Sequence, residues 1–123
     1  MTDDINPMQI GIQPEEMFAE VLIRLNKKKG VGYSLKLDKL QEAVLEAKWK
    51  YPAVMRGFTL HGNEDYSFSP EATECFYEFI QEGFLASIPD VGTILTGNMR
   101  RLESIFEKKP EIGEAAKYIC DRL

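Results

Sequence analysis

Three observations predict a helix-rich α+β domain. Apolar residues recur at helical spacing in two early stretches, at Met17, Phe18, Val21, Leu22 and Leu25 and again at Leu37, Leu40, Val44 and Ala47. Between Phe58 and Thr96 the order is a short strand, a helix started by Ser69-Pro70 and stopped by Gly83, then a hairpin turning at Pro89-Asp90-Val91-Gly92. Two more helical stretches follow, opening near Asn98 and at Pro110. That order is the order of a winged-helix core. The predicted fold is therefore a winged-helix-like domain with two additional C-terminal helices, one domain over residues 1–123, with 1–12 as a loosely ordered arm.

The first helix is expected to start at Pro14, whose fixed φ suits a first helical turn, with Glu15 and Glu16 placed favourably against the N-terminal dipole. Lys27, Lys28 and Lys29 complement its C-terminus, and Gly30 ends it. A short strand is expected near Tyr33. Ser34 is the expected cap of the second helix, which Trp49 and Tyr51 close and Pro52 stops. Phe58-Thr59-Leu60 and Tyr66-Ser67-Phe68 flank a turn-rich His61 to Asp65, as a hairpin or irregular excursion would.

Ser69, Pro70 and Glu71 combine a capping hydroxyl, a proline at the first helical position and an acid in the first turn. Ala72, Phe76, Phe79 and Ile80 supply that helix's buried face, and Phe84 can fold back beyond Gly83. In the hairpin, Pro89 and Asp90 suit the turn's start and Gly92 its positive-φ position. Asn98 is the expected cap of a helix bearing Met99, Leu102, Ile105 and Phe106; the last helix carries Ile112, Ala115, Ala116 and Ile119. These two helices are expected either to complete the core or to form a dimer contact.

Composition sets aside several functions. Apolar residues make up 44% and charged residues 28%, ordinary for a globular chain. No apolar run approaches the ~18 residues that span a bilayer, and the N-terminus lacks the basic and apolar segments of a signal peptide. Cys75 and Cys120 have no metal or CxxC spacing and fall among apolar residues, so buried free thiols in a reducing cytoplasm are expected. His61 is the lone histidine, and with Glu64 and Asp65 it is a poor ligand set. No GxSxG, GxGxxG or P-loop pattern occurs. Neither catalysis, a metal nor a cofactor is expected.

Charge is unevenly spread. The net charge is −5, yet Arg24 to Arg56 holds nine Lys/Arg against three Asp/Glu, a local +6. Lys27, Lys28, Lys29, Lys36 and Lys39 are the candidate phosphate contacts within it. The helix in the recognition position carries Glu71, Glu74, Glu78 and Glu82 and no Lys or Arg. Phosphate would repel it, so nucleic acid is disfavoured as the target of helix 70–82. Tyr77 lies between Glu74 and Glu78, an aromatic of the kind that anchors protein interfaces. Glu71, Glu74, Tyr77 and Glu78 are thus the candidate partner-binding residues. The two opposite patches would also suit a homodimer.

Ser34-Leu35-Lys36-Leu37-Asp38-Lys39-Leu40-Gln41 resembles the Leu-Lys-Leu-x-Lys-Leu helix of the Panacea antitoxin domain. The Tyr66-Ser67-Phe68-Ser69-Pro70-Glu71 start and the Gln81-Glu82-Gly83-Phe84-Leu85 stop resemble the frame of small bacterial winged-helix proteins encoded near mobile elements. The Gly-Pro element common before the third helix in those proteins is replaced here by Glu64-Asp65-Tyr66. The resemblance implies a non-enzymatic protein that acts by binding another macromolecule. The expected function is an adaptor-type or antitoxin-like module binding a protein partner through helix 70–82. The alternative is a nucleic-acid-binding regulator using the basic face of residues 24–56.

Overall fold

The structure, a computed structural model, describes residues 12–62, 67–106 and 109–123. Helix α1 spans Pro14–Lys29 and α2 spans Leu37–Lys50. A minimal pair of strands, β1 (His61–Gly62) and β2 (Ser67–Phe68), leads into α3 (Pro70–Gln81). The hairpin β3 (Leu85–Ile88) and β4 (Gly92–Leu95) follows, then α4 (Met99–Ile105), a 3-10 turn at Pro110–Ile112 and α5 (Gly113–Arg122). The predicted helix-rich α+β class holds. Of the arm expected at 1–12, residues 1–11 lie outside the described residues, as do Asn63 to Tyr66.

Helix boundaries follow the local chemistry. Pro14 occupies the first turn of α1, Glu16 closes a capping box with Gln13, and Gly30 ends the helix at φ 92°. Ser69 caps α3, its hydroxyl accepting from the Ala72 N–H at 3.4 Å, and Gly83 takes φ 87° just past the end. In the β3–β4 turn the Val91 N–H bonds the Ile88 carbonyl at 3.1 Å. Pro89 holds the first central position and Asp90 the second, at φ 67°, the pattern of a type II turn. Gly92 follows at φ 110°, so the positive-φ demand falls on two residues, one of them not glycine.

Ser34 does not cap α2. The helix starts later, with Lys36 at the N-cap position and no side-chain cap. Ser34 instead forms a β-bridge with Ile94. Around it the Leu95 N–H bonds the Tyr33 carbonyl (3.0 Å) and the Leu35 N–H bonds the Thr93 carbonyl (2.7 Å). The segment between α1 and α2 is thereby a rudimentary third strand, which leaves β4 in the middle. Ser34 thus lies two residues before the N-cap position, too early for its hydroxyl to serve the first turn of α2.

Trp49 departs from expectation as well. It does not close the end of α2 but stands 78% exposed, whereas Tyr51 packs edge-on against Tyr118 at 5.7 Å. The first hairpin pairs His61 with Phe68 and Gly62 with Ser67, so pairing reaches into the segment read as turn.

The core lies where α1 meets α3, α4 and α5, and where α2 meets α3 and α5. Ala19, Ala43, Ala47, Ala72, Ala115 and Ala116 are all buried, and their small side chains let the helices approach closely. Phe79 joins the layers. Its ring meets Phe18 edge-on at 4.9 Å and lies against Phe84 at 5.6 Å and Phe106 at 6.2 Å. Ala115, Ala116, Ile119 and Cys120 of α5 belong to the same buried cluster, so the last helix completes the core.

Candidate functional site

The outer face of α3 is set by how its inner face and N-terminus are held. Ala72, Cys75, Phe76 and Phe79 turn inward, which leaves Glu74, Tyr77, Glu78 and Gln81 on the solvent side. Gln41 of α2 fixes the start of the helix. Its amide nitrogen donates to the Ser69 carbonyl (3.0 Å) and the Thr73 hydroxyl (2.8 Å), and its amide oxygen accepts from the Ser69 N–H (2.7 Å). Gln41 is buried and Ser69 wholly so, and a buried polar group must be paired in this way.

Glu71 lies apart from the other acids. Its half-buried carboxylate accepts from the Thr59 N–H (2.9 Å), the Thr59 hydroxyl (2.9 Å) and the Ser69 hydroxyl (3.0 Å). Burial pushes its pKa up, but those hydrogen bonds and its own backbone N–H outweigh this and hold the carboxyl below its ordinary range. Glu71 therefore ties the segment after α2 to the start of α3.

Glu74, Tyr77 and Glu78 share one exposed surface, with Tyr77 56% exposed and its ring edge-on to buried Phe76 at 5.5 Å. Desolvation first, and then Glu15, Glu82 and Glu74, raise the pKa of Glu78. Glu15 belongs to the first turn of α1, so the fold adds an acid that the α3 sequence does not contain. The last turn of α3 has no basic residue, and Glu78 and Glu82 sit at the negative end of the helix dipole. Relief comes from α4. Arg101 donates to the Glu82 carbonyl at 3.0 Å and stacks on the Phe84 ring at 4.7 Å.

The candidate phosphate-binding lysines do not form one face. Lys27 pairs with Glu103 at 3.8 Å, and Lys28 with Asp121 at 3.2 Å. Asp121 also takes Lys117 at 2.9 Å, and the Lys29 ammonium lies over the Tyr33 ring at 5.4 Å. Lys36 and Lys39 stand elsewhere, around a hollow of about 240 Å³ shared with Tyr33, Ser34 and Arg122, and neither has an acid partner among the described residues.

His61 is exposed, with its ring 6.2 Å from that of Phe68, while Glu64 and Asp65 lie outside the described residues. No group of three or more His, Cys, Asp or Glu among the described residues is arranged to hold a metal, and no described helix is long and apolar enough to cross a membrane. Both cysteines are buried free thiols.

Sequence reasoning missed Gln41, Thr59 and Arg101, because each acts on α3 from 12 to 28 residues away in the chain. The available signal was a glutamine on the apolar side of α2, next to Leu40. Comparison with family models, curated proteins and solved structures finds no match for this chain.

Proposed function

We propose that this chain is a non-enzymatic protein-interaction module, of adaptor or antitoxin type, on a winged-helix-like scaffold. The scaffold reading is supported by the chain order: α1, a bridged segment at Ser34, α2, α3, then the β3–β4 hairpin with β4 central. Helix α3 holds the recognition position in that order.

One observation carries the functional reading. An exposed tyrosine lies among Glu74, Glu78 and Glu82; the last two stand at the end of α3 where the dipole opposes them, and Glu15 adds to the repulsion on Glu78. Such a surface suits a cationic protein partner that covers the Tyr77 ring and neutralises the carboxylates around it. Glu71 acts indirectly, by holding the start of the helix. The nucleic-acid alternative is weakened because Lys27 and Lys28 are already paired with acids of α4 and α5.

The test is affinity capture from cells with wild type, Tyr77→Ala and the Glu74→Lys/Glu78→Lys pair. A specific partner should lose affinity by about 2 kcal/mol on Tyr77→Ala, roughly 30-fold. All variants should retain wild-type circular dichroism. A partner that binds them all equally would refute the assignment to α3. Micromolar binding to a random duplex that collapses between ~50 and ~200 mM salt would instead favour the regulator reading.

A further inference from the structure

We propose that the hollow between the Ser34 bridge, α2 and α5 is a binding site for a phosphate monoester or inorganic phosphate, separate from the α3 surface. It is lined by Lys36, Lys39 and Arg122 together with Tyr33, Ser34, Leu35 and Leu123, and measures about 240 Å³. Three cations from two helices and the bridged segment converge there on a protein whose net charge is −5.

Their states differ in a way that defines the ligand. Arg122 is pre-positioned: its Nε donates to Glu46 at 2.6 Å, its Nη1 to the Tyr118 carbonyl at 3.3 Å, and its guanidinium lies 3.5 Å from the centre of the Tyr118 ring. The remaining guanidinium N–H groups have no protein acceptor among the described residues. Glu46 balances its charge.

Lys36 and Lys39 have no ion-pair partner among the described residues. The intervening Asp38 turns its carboxylate onto the Lys39 backbone N–H at 2.8 Å. Two ammonium groups with no ion-pair partner among the described residues, beside a fixed guanidinium, suit an anion of about −2, the charge of a phosphate monoester above its second pKa of ~6. A carboxylate or a single phosphodiester would supply only half of it. Tyr33 completes the wall, and its hydroxyl is already donated to the Leu123 carbonyl at 2.5 Å, which keeps the ring in place.

The experiment is an amide-detected NMR titration of the whole chain with inorganic phosphate, at constant ionic strength set by chloride. Saturable shifts are expected at Ser34, Lys36, Lys39 and Arg122, tighter at pH 7.5 than at pH 5.5. Lys36→Ala/Lys39→Ala should weaken binding by at least about tenfold, since each removes a charge-assisted bond. Both side chains are solvent-exposed, so the fold should survive, and Arg56→Ala serves as a cation-removal control with unchanged affinity. Dimethyl phosphate and a short DNA duplex form the second arm. Shifts that fail to saturate, that follow chloride equally, or that persist in the double variant would overturn the proposal. So would binding confined to the duplex, which would assign the lysines to a nucleic-acid backbone.

Discussion

Replacing Gln41 by alanine should destabilise the fold by about 2 kcal/mol, a value that follows from three hydrogen bonds. The side chain bonds the Ser69 N–H, the Ser69 carbonyl and the Thr73 hydroxyl. Their loss is not uniform. The Ser69 carbonyl retains the Thr73 N–H at 3.3 Å, and the half-exposed Thr73 hydroxyl regains water. These two changes cost about 1 kcal/mol together. The Ser69 N–H has no second acceptor among the described residues, and Ser69 is 0% exposed. Stranding it costs a further 1–3 kcal/mol or so. Against this, a frozen glutamine recovers roughly 1–2 kcal/mol of side-chain entropy when truncated.

Urea unfolding followed by far-UV circular dichroism should show a lower midpoint with an unchanged m-value. The melting temperature should fall by about 6–10 °C, from roughly 3–5 °C per kcal/mol at this size. Gln41→Leu sharpens the test, since it preserves volume but still strands the Ser69 N–H. If either variant lies within about 0.5 kcal/mol of wild type, the network does not hold α3 and the reasoning fails.

Glu71→Gln should cost about 1 kcal/mol at pH 7 through weakened bonds to Thr59 and Ser69. Because the native carboxyl lies below its ordinary value of 4.5, that advantage is whole above pH 4.5 and disappears as pH falls through the native pKa. A wild-type-minus-variant gap that grows on acidification would contradict this. Asp90→Val should destabilise by about 1–2 kcal/mol, because a β-branched residue resists φ 67°, while Asp90→Gly should be near neutral; equal melting temperatures would remove the turn's strain. The Cys75 thiol is pushed up to about 12 by burial and then by the carboxylates of Glu15, Glu78, Glu74 and Glu71. Both cysteines should resist a disulfide reagent at pH 8 until urea unfolds the chain, and stoichiometric labelling of the native protein would show them accessible. Trp49, the lone tryptophan, should be quenched by iodide as readily in the native as in the unfolded state.

The starts and stops of α1 and α3 were legible in the sequence, because those signals are local. Ser69 and Pro70 start α3, Gly83 follows its end, and the Pro14 start and Gly30 stop of α1 act within a turn of their own positions. The acidic character of α3, with Tyr77 among its acids, was legible too, since charge and helical spacing need no partner to be read. Which groups remain available was settled by packing. Glu71 is taken by Thr59, Lys27 by Glu103 and Lys28 by Asp121, while Lys36 and Lys39 share a hollow with Arg122. Ser34 reads as the cap of α2 until Ile94 lies beside it. Trp49 reads as closing the end of α2 beside Tyr51, yet it stands exposed while Tyr51 packs on Tyr118. The physical reason is the same in each case: a side chain's role is settled by what lies within a few ångströms, and those neighbours come from parts of the chain that only the fold brings together.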